Sequence, residues 1–235
     1  MSSGSIPVIA IDGPSGTGKG SLGVPLARTL GWHFLDSGAL YRTLGWLAMR
    51  EAVAFDDVAR LGQLAARLGV EFRDTAPESD EVCVICRGED VTRSIRSEAC
   101  ARAASEIAVL PSVRAALLAQ QRAFRQPPGL VADGRDMGTA VFADAMLKIY
   151  LSASPEERAE RRYKQLKDQG VDVNLRDLLE GIMERDARDS ERGVSPLRAA
   201  PDAVIIDTTR LDRGAVFERV IYLLDARDRR ADNSQ

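Results

Sequence analysis

The amino-acid sequence predicts an α/β domain in which a parallel sheet is flanked by helices and interrupted once by a small antiparallel insertion. Three observations lead there. "IPVIAID" is a short β-rich run that stops at a glycine-rich loop, and a helical pattern follows directly. "GLVADGRD" and "LKIYLSA" are apolar runs without the alternation of a half-exposed strand, which suits strands buried on both faces of a parallel sheet. One segment, Val70 to Thr92, does alternate apolar and polar residues, around a Pro-Glu-Ser-Asp turn, and reads as a separate antiparallel sheet.

Each element follows in order. "GKGSLGVPLARTL" is a helix with Leu22, Leu26, Ala27 and Leu30 on one face, and Pro25 inside it is expected to bend it. Two further helices are expected over "GALYRTLGWLAMREA" and "DDVARLGQLAARLG". After the insertion, a helical stretch from Ser97 to Arg125 returns the chain to the sheet. "SPEERAERRYKQLKDQG" begins with Ser154 as an N-cap and Pro155 at the first helical position, where its missing N–H costs nothing. "LRDLLEGIMERDARDSERG" is another helix, "DAVIIDTT" a last strand, and a closing amphipathic helix is expected to about Ala226, with a flexible tail over about 227–235. No internal repeat is present, and one domain spans residues 1–235.

At 235 residues the chain is long enough to bury a sizeable core, and 45% hydrophobic with 29% charged residues is ordinary for a globular protein. A net charge of −3 argues against general nucleic-acid binding, so an anionic ligand would need a local arginine cluster. No apolar run reaches membrane-spanning length, and "MSSGSIPVIAID" lacks the features of a secretory signal. Three cysteines and one histidine offer little to a metal; Cys83 and Cys86 lie in a strand-like run that should point them to opposite faces. The expected setting is a reducing cytoplasm.

"GPSGTGKGS" carries the strongest chemistry. Its glycines and Lys19 obey the G-x-x-x-x-G-K spacing of a phosphate-binding P-loop, in the strand–loop–helix context such a loop requires. Gly13, Pro14, Ser15, Gly16, Thr17, Gly18, Lys19, Gly20 and Ser21 should cradle the phosphates of ATP or GTP with backbone N–H groups and a helix N-terminus. The hydroxyl expected after the lysine is displaced by one place, from Gly20 to Ser21. A second constellation is a set of arginines, among them Arg42, Arg114, Arg135, Arg185, Arg188 and Arg192. "DSGALYR" puts Ser37 and Arg42 just after a short strand; "DGRDMG" puts Asp133, Arg135 and Asp136 at the strand ends where open α/β sheets bind ligands. "ERDARDSER" spaces Arg185, Asp189 and Arg192 onto one helix face, a pattern equally compatible with a solvated charge stripe. A guanine-reading N-K-x-D is absent.

"IDGPSGTGKGS", "LDSGALYR", "ADGRDMGT" and "ERDARDSER", in this order, resemble the bacterial cytidylate kinases of the nucleoside-monophosphate kinase family. In that family G-K-G followed by Ser or Thr is common, so the resemblance makes Gly20 its normal form and Ser21 its hydroxyl, on Mg²⁺. The resemblance implies a P-loop kinase fold with a monophosphate-binding region over about 37–125, an insertion over about 70–92 and a lid over about 158–174. It further implies transfer from ATP to CMP or dCMP. Carried over residue by residue, Lys19, Arg135 and Arg192 would be catalytic, and Arg42, Arg135 and Arg192 would clamp the CMP phosphate. Ser37, Arg114 and Asp136 would lie near the base, and Ser105, Arg185 and Asp189 near the pentose. Arg158, Arg161 and Arg162 would close the lid over ATP. A monomer that binds neither nucleic acid nor membrane is the expected form.

Overall fold

The computed structural model describes residues 6–75, 82–168 and 170–232. The chain begins β1 (Val8–Asp12), α1 (Lys19–Leu30), β2 (His33–Asp36), α2 (Ser37–Arg50) and α3 (Val58–Ala66). A small sheet follows, β3 (Val70–Asp74), β4 (Val82–Cys86) and β5 (Glu89–Asp90), and then α4 (Glu98–Ile107) and α5 (Pro111–Ala123). The remainder is β6 (Leu130–Gly134), a π-helical turn at Met137–Val141, β7 (Leu147–Ser152), α6 (Pro155–Asp168), α7 (Leu175–Glu191), β8 (Val204–Asp207) and α8 (Arg213–Asp232).

The main sheet has the order β2-β6-β1-β7-β8, and every pair in it is parallel. β1 stands in the middle and all five of its residues are buried. Because side chains alternate along a strand, Val8 and Ala10 enter the core built with α2, α3 and α5, while Ile9 and Ile11 enter the core built with α1 and α8. This two-sided burial is why the strands read as apolar runs rather than alternating ones. The strands' C-terminal ends carry Asp12, Asp36 and Asp133, so the loops that follow them converge on one edge of the sheet.

The inserted sheet is antiparallel, β3-β4-β5, with Val84 and Cys86 packed beside Ala39 of α2. The Pro-Glu-Ser-Asp turn expected within it lies outside the described residues. Cys86 donates to the Leu68 carbonyl at 3.4 Å, and Cys83 accepts from the Thr92 hydroxyl at 3.5 Å. Ser154 does cap α6, accepting from the Glu157 amide at 3.2 Å.

Three local expectations are corrected. The helical stretch Ser97–Arg125 is two helices, because Pro111 has no N–H to continue α4 and instead opens α5. α7 ends at Glu191, and Arg192 leaves it with extended backbone (ψ 136°), so Arg192 does not share a helix face with Arg185 and Asp189. The closing helix runs beyond Ala226 to Asp232. Among the described residues no helix is long and apolar enough to cross a membrane.

Candidate active site

The loop between β1 and α1 is built around glycines that no other residue can replace. Gly13 has φ 148°, and a Cβ there would sit 2.2 Å from the Leu151 carbonyl oxygen. Gly18 caps α1 in the left-handed region (φ 88°), brings no side-chain cap, and no acidic residue follows in the first turn. The first-turn amides of α1 therefore keep their positive end for an anion. Thr17 stabilises the loop from within by donating to the Pro14 carbonyl at 3.0 Å. Lys19 is buried (6% exposed), donates to the same carbonyl at 2.9 Å, and stands 3.8 Å from Asp133. Burial first, and Arg135 second, lower the Lys19 ammonium to about 8, while burial raises the Asp133 carboxyl to about 7. Lysine and carboxylate here are both desolvated and tuned towards neutrality, the condition of groups that wait for a charged partner.

Two cavities meet at this loop. The first is lined by Ser37, Arg42, Ser105, Arg114, Arg135, Asp136, Arg185, Asp189 and Arg192, so residues from three separated motifs and from the helical stretch between them converge in one pocket. The second is a larger cleft lined by Ser15, Gly16, Gly18, Lys19, Gly20 and Ser21 together with Arg158 and Arg162. Ser15, Arg42 and Arg185 line both, so ligands in the two cavities would face each other across the tip of the loop. Gly13, Pro14 and Thr17 shape the loop from behind without lining either cavity.

The first pocket is a buried arginine cluster held in place by carboxylates. Asp36 caps α2 through the Ala39 amide (2.9 Å) and holds Arg42 (2.8 Å); burial works against its charge, but Arg42, the Ala39 amide and Lys19 together outweigh it and keep the carboxyl low. Asp136 pairs closely with Arg114 and lies 3.9 Å from Arg192. Arg135 donates through Nε to Asp189 at 2.9 Å. Arg188 donates to the Ser105 hydroxyl at 2.8 Å. Burial lowers the pKa of both Arg185 and Arg192, with Arg135 adding to the first and Arg114 to the second. Guanidinium groups stay charged nonetheless, so the cost is electrostatic. Most tellingly, among the described residues Arg42 Nε and Arg192 Nη2 are buried N–H donors without a hydrogen-bond partner, the second held only by the 3.9 Å ion pair with Asp136. Such donors are costly unless something anionic completes them.

The three lid arginines divide. Arg158 is 2% exposed and lines the cleft, but its guanidinium is engaged by the Ser15 carbonyl (3.1 Å), the Ala153 carbonyl (3.1 Å) and Asp186 of α7. It braces the loop tip against α6 and α7. Arg162 reaches Glu98 at the start of α4 (2.7 Å), joining the lid to the opposite wall. Arg161 turns away, to Glu157 (2.8 Å) and the Thr208 carbonyl (2.6 Å), and lines neither cavity. Its predicted place among the donor-site residues is therefore corrected: an i,i+4 partner one turn back and a nearby carbonyl hold it on the far side of α6.

Tyr41, Asp186 and Glu98 join the site unpredicted, and Asp133 and Arg188, singled out in the sequence without an assigned role, join it too. Tyr41, Asp133, Asp186 and Arg188 lie inside the motifs already singled out, so motif membership was an available signal. Glu98 and the Arg158–Asp186 pair join distant elements and leave no local pattern.

A family model described as cytidylate kinase matches residues 9–226. Proteins named cytidylate kinase resemble the chain along nearly its whole length. That of Aeromonas salmonicida is 56% identical over 215 residues, covering 92% of each chain. That of Shewanella denitrificans is 54% identical over 215 residues, 92% of this chain and 94% of that one. That of Pseudomonas aeruginosa is 55% identical over 218 residues, 93% and 95% respectively. Among solved structures, a gluconokinase from Sinorhizobium meliloti superposes with a TM-score of 0.48 at 16% identity, covering 97% of this chain and 95% of that one.

Proposed function

The chain belongs to the cytidylate kinase family, and from that premise we propose how its residues transfer the γ-phosphoryl group of ATP to CMP or dCMP, giving ADP and CDP or dCDP. ATP occupies the cleft over the loop, with its phosphates on the amides of α1 and on Lys19. The acceptor occupies the arginine pocket, with its phosphate on Arg42, Arg135 and Arg192. The observation that carries this assignment is the pair of buried arginine N–H groups that make no hydrogen bond to the described residues, Arg42 Nε and Arg192 Nη2, in a pocket that opens at the loop tip. A phosphate monoester is the complement they lack.

The acceptor phosphate has a second pKa near 6 and is already a dianion at pH 7, so no general base is needed. The residues must instead hold two polyanions in line and neutralise the charge that shifts onto the bridging oxygen. Lys19, in the donor cleft, and Arg135, in the acceptor pocket and tied to α7 by Asp189, are suited to do so. Near the base, Asp136 offers a carboxylate to cytosine's N4 amine, which uracil lacks; Arg114 holds that carboxylate in place. Ser37 joins Asp136 at the base, while Ser105, Arg185 and Asp189 serve the sugar side.

Mg²⁺ fits the residues present. Ser21 and Asp133 line the same cleft and offer only oxygen, the donor this ion prefers when it keeps several waters and shares itself with substrate phosphates. When bound it neutralises charge on the β- and γ-phosphate oxygens. Arg158 and Arg162 act from the lid, the first by fixing the loop and the second by joining the walls. The proposed setting is a monomer in the cytoplasm.

The test is ADP release with CMP, dCMP, UMP, AMP and GMP as acceptors, in the wild type and in Asp136→Asn. CMP and dCMP should lead in the wild type, with UMP weaker and purines near background. Asp136→Asn should narrow the ratio of kcat/KM for CMP to that for UMP, because an amide can face either base. Faster turnover with AMP would overturn the reading, and an unchanged ratio would move base recognition away from Asp136.

A further inference from the structure

Asp12 is the last residue of β1 and directly precedes the phosphate-binding loop, yet its carboxylate accepts its hydrogen bonds from a different turn. It is 3% exposed. Its Oδ1 accepts from the Met137 amide at 2.7 Å and its Oδ2 from the Gly138 amide at 2.8 Å. These two N–H groups open the π-helical turn Met137–Val141, whose N-cap residue is Asp136. An N-cap aspartate ordinarily satisfies such amides with its own carboxylate. Asp136 makes no such bond. Its carboxylate instead faces Arg114 and Arg192 in the acceptor pocket. Asp12 takes over the capping and thereby leaves Asp136 open to a ligand.

The joint is tight on every side. Asp12 and Gly134 are partners in register between β1 and β6, so the carboxylate spans the turn that contains Arg135 and Asp136. A Cβ built at Gly138 would lie 3.3 Å from Asp12 Oδ2 and 3.1 Å from Lys148 Cδ. A Cβ there would make the Lys148 stem or the Asp12 carboxylate give way by a few tenths of an ångström.

We propose that Asp12 is a positioning residue for the acceptor: by capping the turn after β6 it fixes the direction of Asp136 and Arg135, and so sets the bound monophosphate against the donor loop that Asp12 itself leads into. The proposal rests on the assignment of this pocket to the acceptor nucleotide.

Asp12→Asn is the direct test. An amide has one acceptor oxygen, and its NH₂ would confront the second backbone N–H. The expected result is a tenfold or larger rise in KM and calorimetric Kd for CMP, with KM for ATP within threefold of the wild type. A merely structural loss would lower the melting temperature without separating the two substrates. Gly138→Ala disturbs the same joint from the other side without changing any residue of β1, and it should show the same selective loss; it decides the matter where Asp12→Asn does not fold. CMP affinity within twofold of wild type in a folded variant, or equal losses for CMP and ATP, overturns the role of Asp12. Wild-type enzyme without CMP-dependent turnover would overturn the pocket assignment as well.

Discussion

Replacing Asp189 with Ala should damage transfer through Arg135 rather than through the sugar alone. The two side chains share a hydrogen bond of 2.9 Å, and their exposures are 22% for Arg135 and 10% for Asp189. Burial disfavours the Arg135 charge, and Asp189, the foremost opposing influence, more than restores it. Removing one partner of a buried, hydrogen-bonded charge pair costs about 2–5 kcal/mol. The residual exposure of Arg135 lets water recover part of that, so about 2–3 kcal/mol is expected, or roughly 30- to 150-fold in kcat/KM. A hydrogen bond to a pentose hydroxyl would be worth about 1–3 kcal/mol, so the single variant cannot separate the two roles by size. A double-mutant cycle can. If Asp189 acts by holding Arg135, the double variant Asp189→Ala/Arg135→Ala should be little worse than the poorer single, with a coupling of about 1.5 kcal/mol or more. CMP and dCMP should suffer alike, because the shared phosphate is what Arg135 meets. Measured as kcat/KM for both nucleotides, additivity within about 0.5 kcal/mol would refute this reasoning and return Asp189 to the sugar. So would a single-variant loss below threefold.

Two further outcomes follow from the loop and from its buried acids. Lys19→Ala should lower kcat by about a hundred- to a thousandfold or more, since it removes a preorganised cation from the path of the transferring charge; near-normal turnover in a protein with wild-type circular dichroism would falsify its role. Burial raises the Asp12 carboxyl from 3.8 to about 6, with the Asp136 charge adding and the two amides and Lys19 opposing. Between those values the folded state holds a proton that the unfolded chain has released, so stability falls as pH rises from about 4 to about 6. Asp12→Asn should flatten that slope relative to the wild type, by up to roughly 3 kcal/mol across the window. Chemical denaturation at several pH values measures it, and parallel slopes would show that Asp12 is not the group responsible.

The sheet was legible because burial on both faces leaves a direct imprint: Val8 to Asp12 and Leu130 to Gly134 are buried throughout, and each is an apolar run that becomes polar only at its C-terminal end, at Asp12 and Asp133. The loop was legible for a similar reason, since Gly13 and Gly18 occupy conformations that other residues reach poorly. The arginine pocket was partly legible. The family resemblance suggested nine residues for it, seven of them within the motifs, and all nine line one pocket. What periodicity could not show is the direction of a long side chain. Arg158 and Arg161 lie three residues apart on α6, yet one is buried beneath the loop and the other bonds to Thr208. The end of α7 was likewise hidden, because the spacing of Arg185, Asp189 and Arg192 stays helical in the sequence after the backbone has ceased to be. Asp12 stood in plain view within the loop motif, but its partners are distant backbone amides, which carry no residue identity at all.

The central place of β1 also has a consequence for how the chain is made. Its two neighbours in the sheet, β6 and β7, begin at Leu130 and Leu147. During translation roughly 120 residues must follow before β1 meets a partner, which at about 5–20 residues per second is on the order of ten seconds. The helices between them can associate earlier, since α2 packs on α4 and α3 on α5. Throughout that interval the central strand of the sheet has two unpaired edges, in a chain still tethered to the ribosome. The nascent polypeptide is therefore most prone to aggregate before Leu130 emerges, and a holding chaperone would find its natural substrate at Val8 to Asp12.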